Sequence, residues 1–152
     1  MEMNTSSDLV YTALRYIGSA IKELRQPTGL GTEFGPFGER TEFTYATRTE
    51  QEHLEVTEDL IGAAFVLAQT YIKGLPHQTT KMRSILNVSN YWKHRDEWGK
   101  DWTPKNEGQR RTIDAVKALG AKPPVKPGQL AALAKNVLNQ PFDIDALWIA
   151  IT

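Results

Sequence analysis

Leu60 to Ile72 reads LIGAAFVLAQTYI, a run without a charge whose apolar side chains would fall on nearly every side of a helix. A helix with no polar face needs neighbours all round it, so this segment is expected at the centre of a helical domain. At about 13 residues it falls short of the roughly 20 that cross a bilayer. Glu50, Glu52 and Glu55 stand just upstream and suit the positive end of a helix dipole. The helix should therefore run from about Thr49 to Lys73, with Gly74 and Pro76 ending it.

Working outward, Leu9, Ala13, Tyr16, Ile17, Ala20 and Leu24 recur at three- and four-residue steps. They predict a first helix with that face inward, capped by Ser6 or Ser7, running to about Gln26 and stopped by Pro27. Gly18 would let a neighbour approach closely. Residues 27–48, PTGLGTEFGPFGERTEFTYATR, break the helical pattern with glycine and proline yet carry Phe34, Phe37, Phe43 and Tyr45. They form a long aromatic loop, with a short hairpin around Gly35 to Gly38 as an option. On the other side, Thr79 and Thr80 can cap a helix reaching Trp98, with Gly99 beyond its end. Thr103 as cap and Pro104 at the first helical position predict the next helix, ending at Gly120. AKPPVKPG is a stiff connector, and Gln129 to Leu138 a short helix. The tail PFDIDALWIAIT reads equally as a helix capped by Asp143 or as a buried strand.

These readings make one domain, residues 1–152, of the all-α class: a five- or six-helix bundle. At 152 residues the chain can bury roughly two-thirds of its unfolded surface. Eighteen basic and eighteen acidic residues leave no net charge, so nothing long-ranged draws the chain to phosphate backbones or anionic lipid. An RNA partner therefore has no support from charge. There is no cysteine, which removes disulfides, thiolate catalysis and zinc–thiolate sites. The polar, acidic N-terminus does not read as a signal peptide, and the expected setting is cytoplasmic, away from membranes.

Most of the chemistry lies in Ser84 to Gly99, SILNVSNYWKHRDEWG. On a helix, Met82, Ile85, Leu86, Val88 and Trp92 share one side with Ser89 among them, a core face to which Asp96 also turns. Arg83, Asn87, Asn90 and His94 line the opposite side, Trp98 extends the stripe and Tyr91 flanks it. A histidine can act as general base, with Asn90 one turn earlier to bind or orient and Arg83 to hold an anionic oxygen. Trp98 and Trp102, either side of Gly99, pack together on the aromatic loop or line a groove for a flat ligand. His53 among Glu50, Glu52 and Asp59 has no second histidine at helical spacing, so no metal site is expected; Gly29, Gly31 and Gly35 make no phosphate loop, and no cofactor is expected.

SNYWKHRDEW resembles a recurring segment of the form N-aromatic-aromatic-K-H-x-D/E-E-W in small bacterial proteins, some carried by mobile elements. It is also distantly similar to the motif helix of the HEPN superfamily, all-helical domains that include RNA-cleaving toxins. That motif sets an arginine and a polar residue ahead of three variable positions and a histidine. Asn90 and His94 match it, while Ser89 occupies the arginine position. The resemblance implies a helical architecture and a metal-independent ribonuclease with His94 as base. The residues themselves favour a small binding or regulatory protein, expected as a homodimer, holding a protein or small-molecule partner through the aromatic loop and the ligand set Arg83, Asn87, Asn90, Tyr91, Trp98 and Trp102.

Overall fold

The structure, a computed structural model, describes residues 6–24, 28–46 and 48–152. Its elements are α1 (Ser6–Glu23), β1 (Thr28–Phe34), β2 (Arg40–Ala46), α2 (Glu50–Lys73), α3 (Thr80–His94), α4 (Glu107–Ala118), α5 (Gln129–Leu138) and α6 (Ile144–Ile151). A single turn of 3-10 helix, Arg95–Glu97, follows α3. The molecule is mostly helical, as expected, and the aromatic loop takes the hairpin option: it is an antiparallel two-stranded sheet, with Gly29 opposite Tyr45 and Gly31 opposite Phe43, so the bundle is all-α apart from this pair of strands.

Two helices share the centre. α2 packs against α1, α3, α5 and α6, and α3 against α2, α4, α5 and α6. From α2, Ile61, Ala64, Phe65, Ala68 and Ile72 are buried, as its uncharged sequence requires. Gly62 is buried where α3 crosses, and a Cβ there would lie 2.0 Å from Nε1 of Trp92. α3 buries Met82, Ile85, Val88, Ser89 and Tyr91. The expected core face is thus rotated: Tyr91 goes in, while Trp92 is half-buried with its ring stacked under the Arg95 guanidinium, 3.6 Å from the ring centre. Asp96 is exposed rather than turned to the core.

Helix ends follow local hydrogen bonding. Thr49 accepts from the Glu52 N–H and Thr79 from Met82, as their sequences suggest. α4 starts later than expected. Asn106, not Thr103, is its cap, accepting from the Gln109 N–H while the Gln109 side chain accepts from Lys105 N, a reciprocal pair of bonds that outcompetes the Thr-Pro signal. Asp143 caps α6 at Ala146, which settles the ambiguous tail as helix. α3 ends at His94 rather than Trp98, because the chain tightens into the 3-10 turn. The cap position of α5 is Gly128, which has no side chain to cap with. Glu58, buried on α2, does it from seventy residues away: its two oxygens accept from Gly128 N and Ala131 N, at 2.5 and 3.1 Å.

α1 departs most from expectation. Its buried side is Leu14 with Val10, Ile17 and Ile21, whereas Leu9 and Tyr16 are exposed, 60% and 75%. At 100° per residue the apolar arc from Leu14 round to Tyr16 is about 160° wide, broader than α2 and α6 cover. Gly18 does allow close approach: a Cβ there would meet Ile144 of α6 at 2.7 Å. Ser6 and Ser7, expected as caps, are the first described residues of α1, and the expected end at Gln26 with its stop at Pro27 lies outside the described residues.

The hairpin contacts no helix substantially. Tyr45 and Phe43 lie flat across Gly29 and Gly31, where a Cβ would sit 2.4 and 2.5 Å from their rings. Leu30 and Phe34 occupy the other face, and Phe37 stands at the tip, 94% exposed. Gly38 turns the tip with φ +78.

Candidate functional site

The C-terminal end of α3, the 3-10 turn and the start of α4 enclose a cleft of about 280 Å³. Asn90, His94, Glu97, Trp98, Asn106, Gln109 and Thr112 line it, with Gly108. Of the residues expected to act together, Asn90, His94 and Trp98 therefore meet. Arg83 does not join them. It borders a separate depression with Leu75, Pro76 and Gln78, three turns back along α3 and roughly 16 Å from His94 by helical rise. Asn87 is half-buried and outside the cleft.

A chain of hydrogen bonds fixes Asn90. Gln69 of α2 is 2% exposed, and its Oε1 accepts from Ser89 Oγ at 3.1 Å and from Lys93 Nζ at 3.3 Å. An ammonium can only donate, so that atom of Gln69 is the oxygen and its Nε2 donates to Asn90 Oδ1 at 2.7 Å. The Asn90 amide nitrogen is left for the cleft. His94 Nδ1 lies 3.0 Å from Glu97 Oε2, so the ring donates there and is held by a carboxylate, with Nε2 as its remaining nitrogen. Both side chains are about half exposed.

An aromatic cluster lies behind the cleft and reaches it through Trp98. Tyr91, Trp98 and Trp102 pack edge to face with ring centres 5.1 to 5.7 Å apart. They are 1%, 3% and 1% exposed. Trp98 and Trp102 thus do pack together, but on Tyr91 rather than on the aromatic loop. Trp102 holds a left-handed backbone, φ 49. Neither indole N–H has an acceptor among the described residues, and of the two only Trp98 lines the cleft. Tyr91 faces the other way: its hydroxyl donates to Gln129 Oε1 at 2.6 Å, and Gln129 Nε2 in turn donates to the Pro124 carbonyl. Burial pushes the Tyr91 hydroxyl well above its ordinary pKa, the Glu58 carboxylate adds to the rise, and Arg95 opposes it.

Two other hollows carry less chemistry. A groove of about 670 Å³ between α1 and α6 is wide open, and its charges, Arg15 and Lys22 against Asp143 and Asp145, are mixed. A cleft of about 310 Å³ beside Glu58 is walled by the Arg95–Trp92 stack. No cluster of three histidine or acidic side chains suited to a metal ion occurs among the described residues.

Sequence periodicity found His94 and Asn90 but not Asn106, Gln109 and Thr112. Those come from α4 and its cap, and only the α3–α4 packing brings them across. The Asn106-x-x-Gln109 spacing is the one signal that was available, since it reads as a cap and so places a helix N-terminus. No family model, no curated protein and no solved structure matches this chain.

Proposed function

We propose that the protein is a small binding or regulatory protein that works as a homodimer and holds a polar ligand in the α3–α4 cleft. One observation carries this reading. Of nine large hydrophobic side chains exposed among the described residues, seven lie between Leu9 and Tyr45, on the outer side of α1 and on the hairpin. The helical body neither covers this surface nor needs it. Taking about 150–250 Å² for each aromatic side chain, the hairpin alone offers on the order of 600 Å² of apolar surface. A standard interface takes about 800 Å² from each partner. In a two-fold contact between copies, each chain covers the other's surface at once.

A second reading, a metal-independent ribonuclease, is favoured by the carboxylate-oriented His94. Against it stand the cations. Ser89 in the arginine position is fully buried and bonded to Gln69; Arg83 is at the far end of α3; Arg95 is stacked on Trp92; Lys93 donates to Gln69. A base without a cation for the phosphate is half of that chemistry.

The test has two arms on the intact protein. Light scattering of wild type and of the exposed-residue double variant Phe34→Ser with Phe37→Ser is expected to give a dimer and a monomer, both with unchanged helical circular dichroism. A monomeric wild type removes the homodimer. Incubation of wild type and His94→Ala with mixed RNA in excess chelator is expected to leave the RNA intact, and cleavage by wild type alone would establish the enzyme instead.

A further inference from the structure

The two outer edges of the hairpin are not alike. At the tip the Gly35 N–H donates to the Glu39 carbonyl, and the antiparallel ladder alternates from there. The backbone groups of Glu33, Gly31 and Gly29 therefore face β2. Those of Thr28, Leu30, Thr32 and Phe34 point outward along β1, and those of Arg40, Glu42, Thr44 and Ala46 outward along β2. The β2 edge carries charge at Arg40 and Glu42, which pair with each other at 2.9 Å. Charged side chains on an edge keep other strands away. On β1 none of the four outward residues is charged or proline, and Glu33 is the one charge in the strand's seven residues. No helix packs substantially against either strand among the described residues. An open, uncharged edge is a template for another strand.

We infer that β1 pairs antiparallel with β1 of a second copy, so that the two hairpins form one four-stranded sheet, in the order β2-β1-β1-β2, across a two-fold axis. This rests on the homodimer reading and names its contact. Outward backbone groups must meet outward groups, and full overlap of the strands sets the register: Gly31 faces Gly31 on the axis, Leu30 faces Thr32, and Thr28 faces Phe34. Three features of the hairpin suit that register. Residues on the axis approach to about 4.5 Å, and glycine has no side chain to obstruct them; the Phe43 ring lying across each Gly31 meets its counterpart there. Glu33 faces Gly29 of the other copy rather than Glu33, so like charges are not opposed. Across that Gly29 lies the ring of Tyr45, its hydroxyl 2.6 Å from where a Cβ would be, and a phenol there can donate to the Glu33 carboxylate. On the opposite face Leu30 and Phe34 of the two copies become diagonal neighbours, which gathers four exposed apolar side chains into one cluster. A lone hairpin is marginal in water, whereas three or more strands with an apolar face are stable.

Proline at an outward position removes the N–H that an edge offers while leaving the hairpin's own ladder intact. Thr32→Pro and Thr44→Pro are therefore matched substitutions on the two edges. Sedimentation of the intact protein over a dilution series is expected to show that Thr32→Pro raises the dissociation constant of the dimer at least about tenfold, because the lost bond is lost twice across the axis. Thr44→Pro should leave it unchanged, and both variants should keep the helical circular dichroism of wild type. In the wild-type dimer the amides of Leu30 and Thr32 should exchange slowly with deuterium, and those of Glu42 and Thr44 rapidly. A Thr32→Pro variant that associates as tightly as a dimeric wild type would overturn the edge pairing and leave the homodimer standing. So would Leu30 and Thr32 amides that exchange as fast as Glu42 and Thr44 in the dimer. Equal weakening by both proline variants would also overturn it, since the contact would then depend on the hairpin's shape and not on the β1 edge. A monomeric wild type removes the homodimer and this contact together.

Discussion

Glu58 shows how much one side chain can organise. Its carboxylate reaches from α2 to the start of α5, where Gly128 supplies no cap, and satisfies two backbone N–H groups there. A carboxylate at that place also meets the helix dipole favourably. Glu58→Ala leaves both donors bare in a partly buried setting, and should cost about 2–3 kcal/mol of unfolding free energy. Glu58→Gln retains one oxygen and should recover part of that loss. Urea denaturation midpoints decide it, and a Glu58→Ala variant within about 0.5 kcal/mol of wild type would show that solvent caps α5 as well. Tyr91, whose titration Glu58 also influences, makes a pH prediction. Its folded-state pKa is raised, so the folded protein keeps the phenol protonated where the unfolded chain has begun to lose it. The corresponding stability is fully present below the unfolded value near 10 and falls away as pH rises past it. Tyr91→Phe should therefore cost about 1 kcal/mol at neutral pH for the lost Gln129 bond. Its stability should then decline less steeply than wild type between pH 9 and about 11. Parallel declines in denaturation midpoint would contradict the assignment.

At the scale of elements, the same clash has different consequences in different places. A Cβ at Gly62 would meet Trp92 at 2.0 Å on the α2–α3 crossing, and one at Gly31 would meet the Phe43 ring at 2.5 Å on the free hairpin. Gly62→Ala forces apart two helices that share the centre of the fold, and is expected to lower stability by about 1–3 kcal/mol. Gly31→Ala displaces a ring in open solvent and should leave the thermal transition of the helices within about 0.5 kcal/mol of wild type. If both variants melt alike, the hairpin is part of the cooperative unit after all. This contrast bears on what the sequence revealed. The uncharged run from Leu60 announced a surrounded helix, and Thr49, Thr79 and Asp143 announced helix starts, because those signals act within a few residues. α1 misled because its apolar arc is wide enough to place either Leu14 or Tyr16 inward, and only the positions of α2 and α6 choose. Tyr91 replaced Trp92 in the core for a related reason: the two are neighbours on one arc, and Gly62 opens a slot at the edge of the α2–α3 crossing for the larger ring. The cleft was half legible, since α3 carries Asn90 and His94 in its own period while the facing groups come from α4.

Taken whole, the molecule is a helical body with its own core and an N-terminal region, α1's outer stripe plus the hairpin, whose apolar surface the body leaves uncovered. Nothing in the described helices is long and apolar enough to cross a membrane. A two-stranded hairpin alone in water is marginally stable at best, and among the described residues this one has both outer edges unpaired and no helix packed substantially against it. If a second copy supplies the missing cover, the ladder between Thr28–Phe34 and Arg40–Ala46 should be firm only in the dimer. Amide hydrogen exchange across a dilution series separates the cases. Amides of α2 and α3 should exchange slowly at every concentration, because Ile61, Phe65, Ile85 and Val88 are buried within one chain. Hairpin amides should change from slow to fast as the dimer dissociates, by the factor that the bound fraction dictates. Hairpin exchange that is fast at all concentrations, in a protein that light scattering shows to be dimeric, would move the contact to Leu9 and Tyr16 on α1. Hairpin exchange that is slow in the monomer would mean the ladder is stable unaided, and its exposed aromatic residues would then be free to meet a different partner.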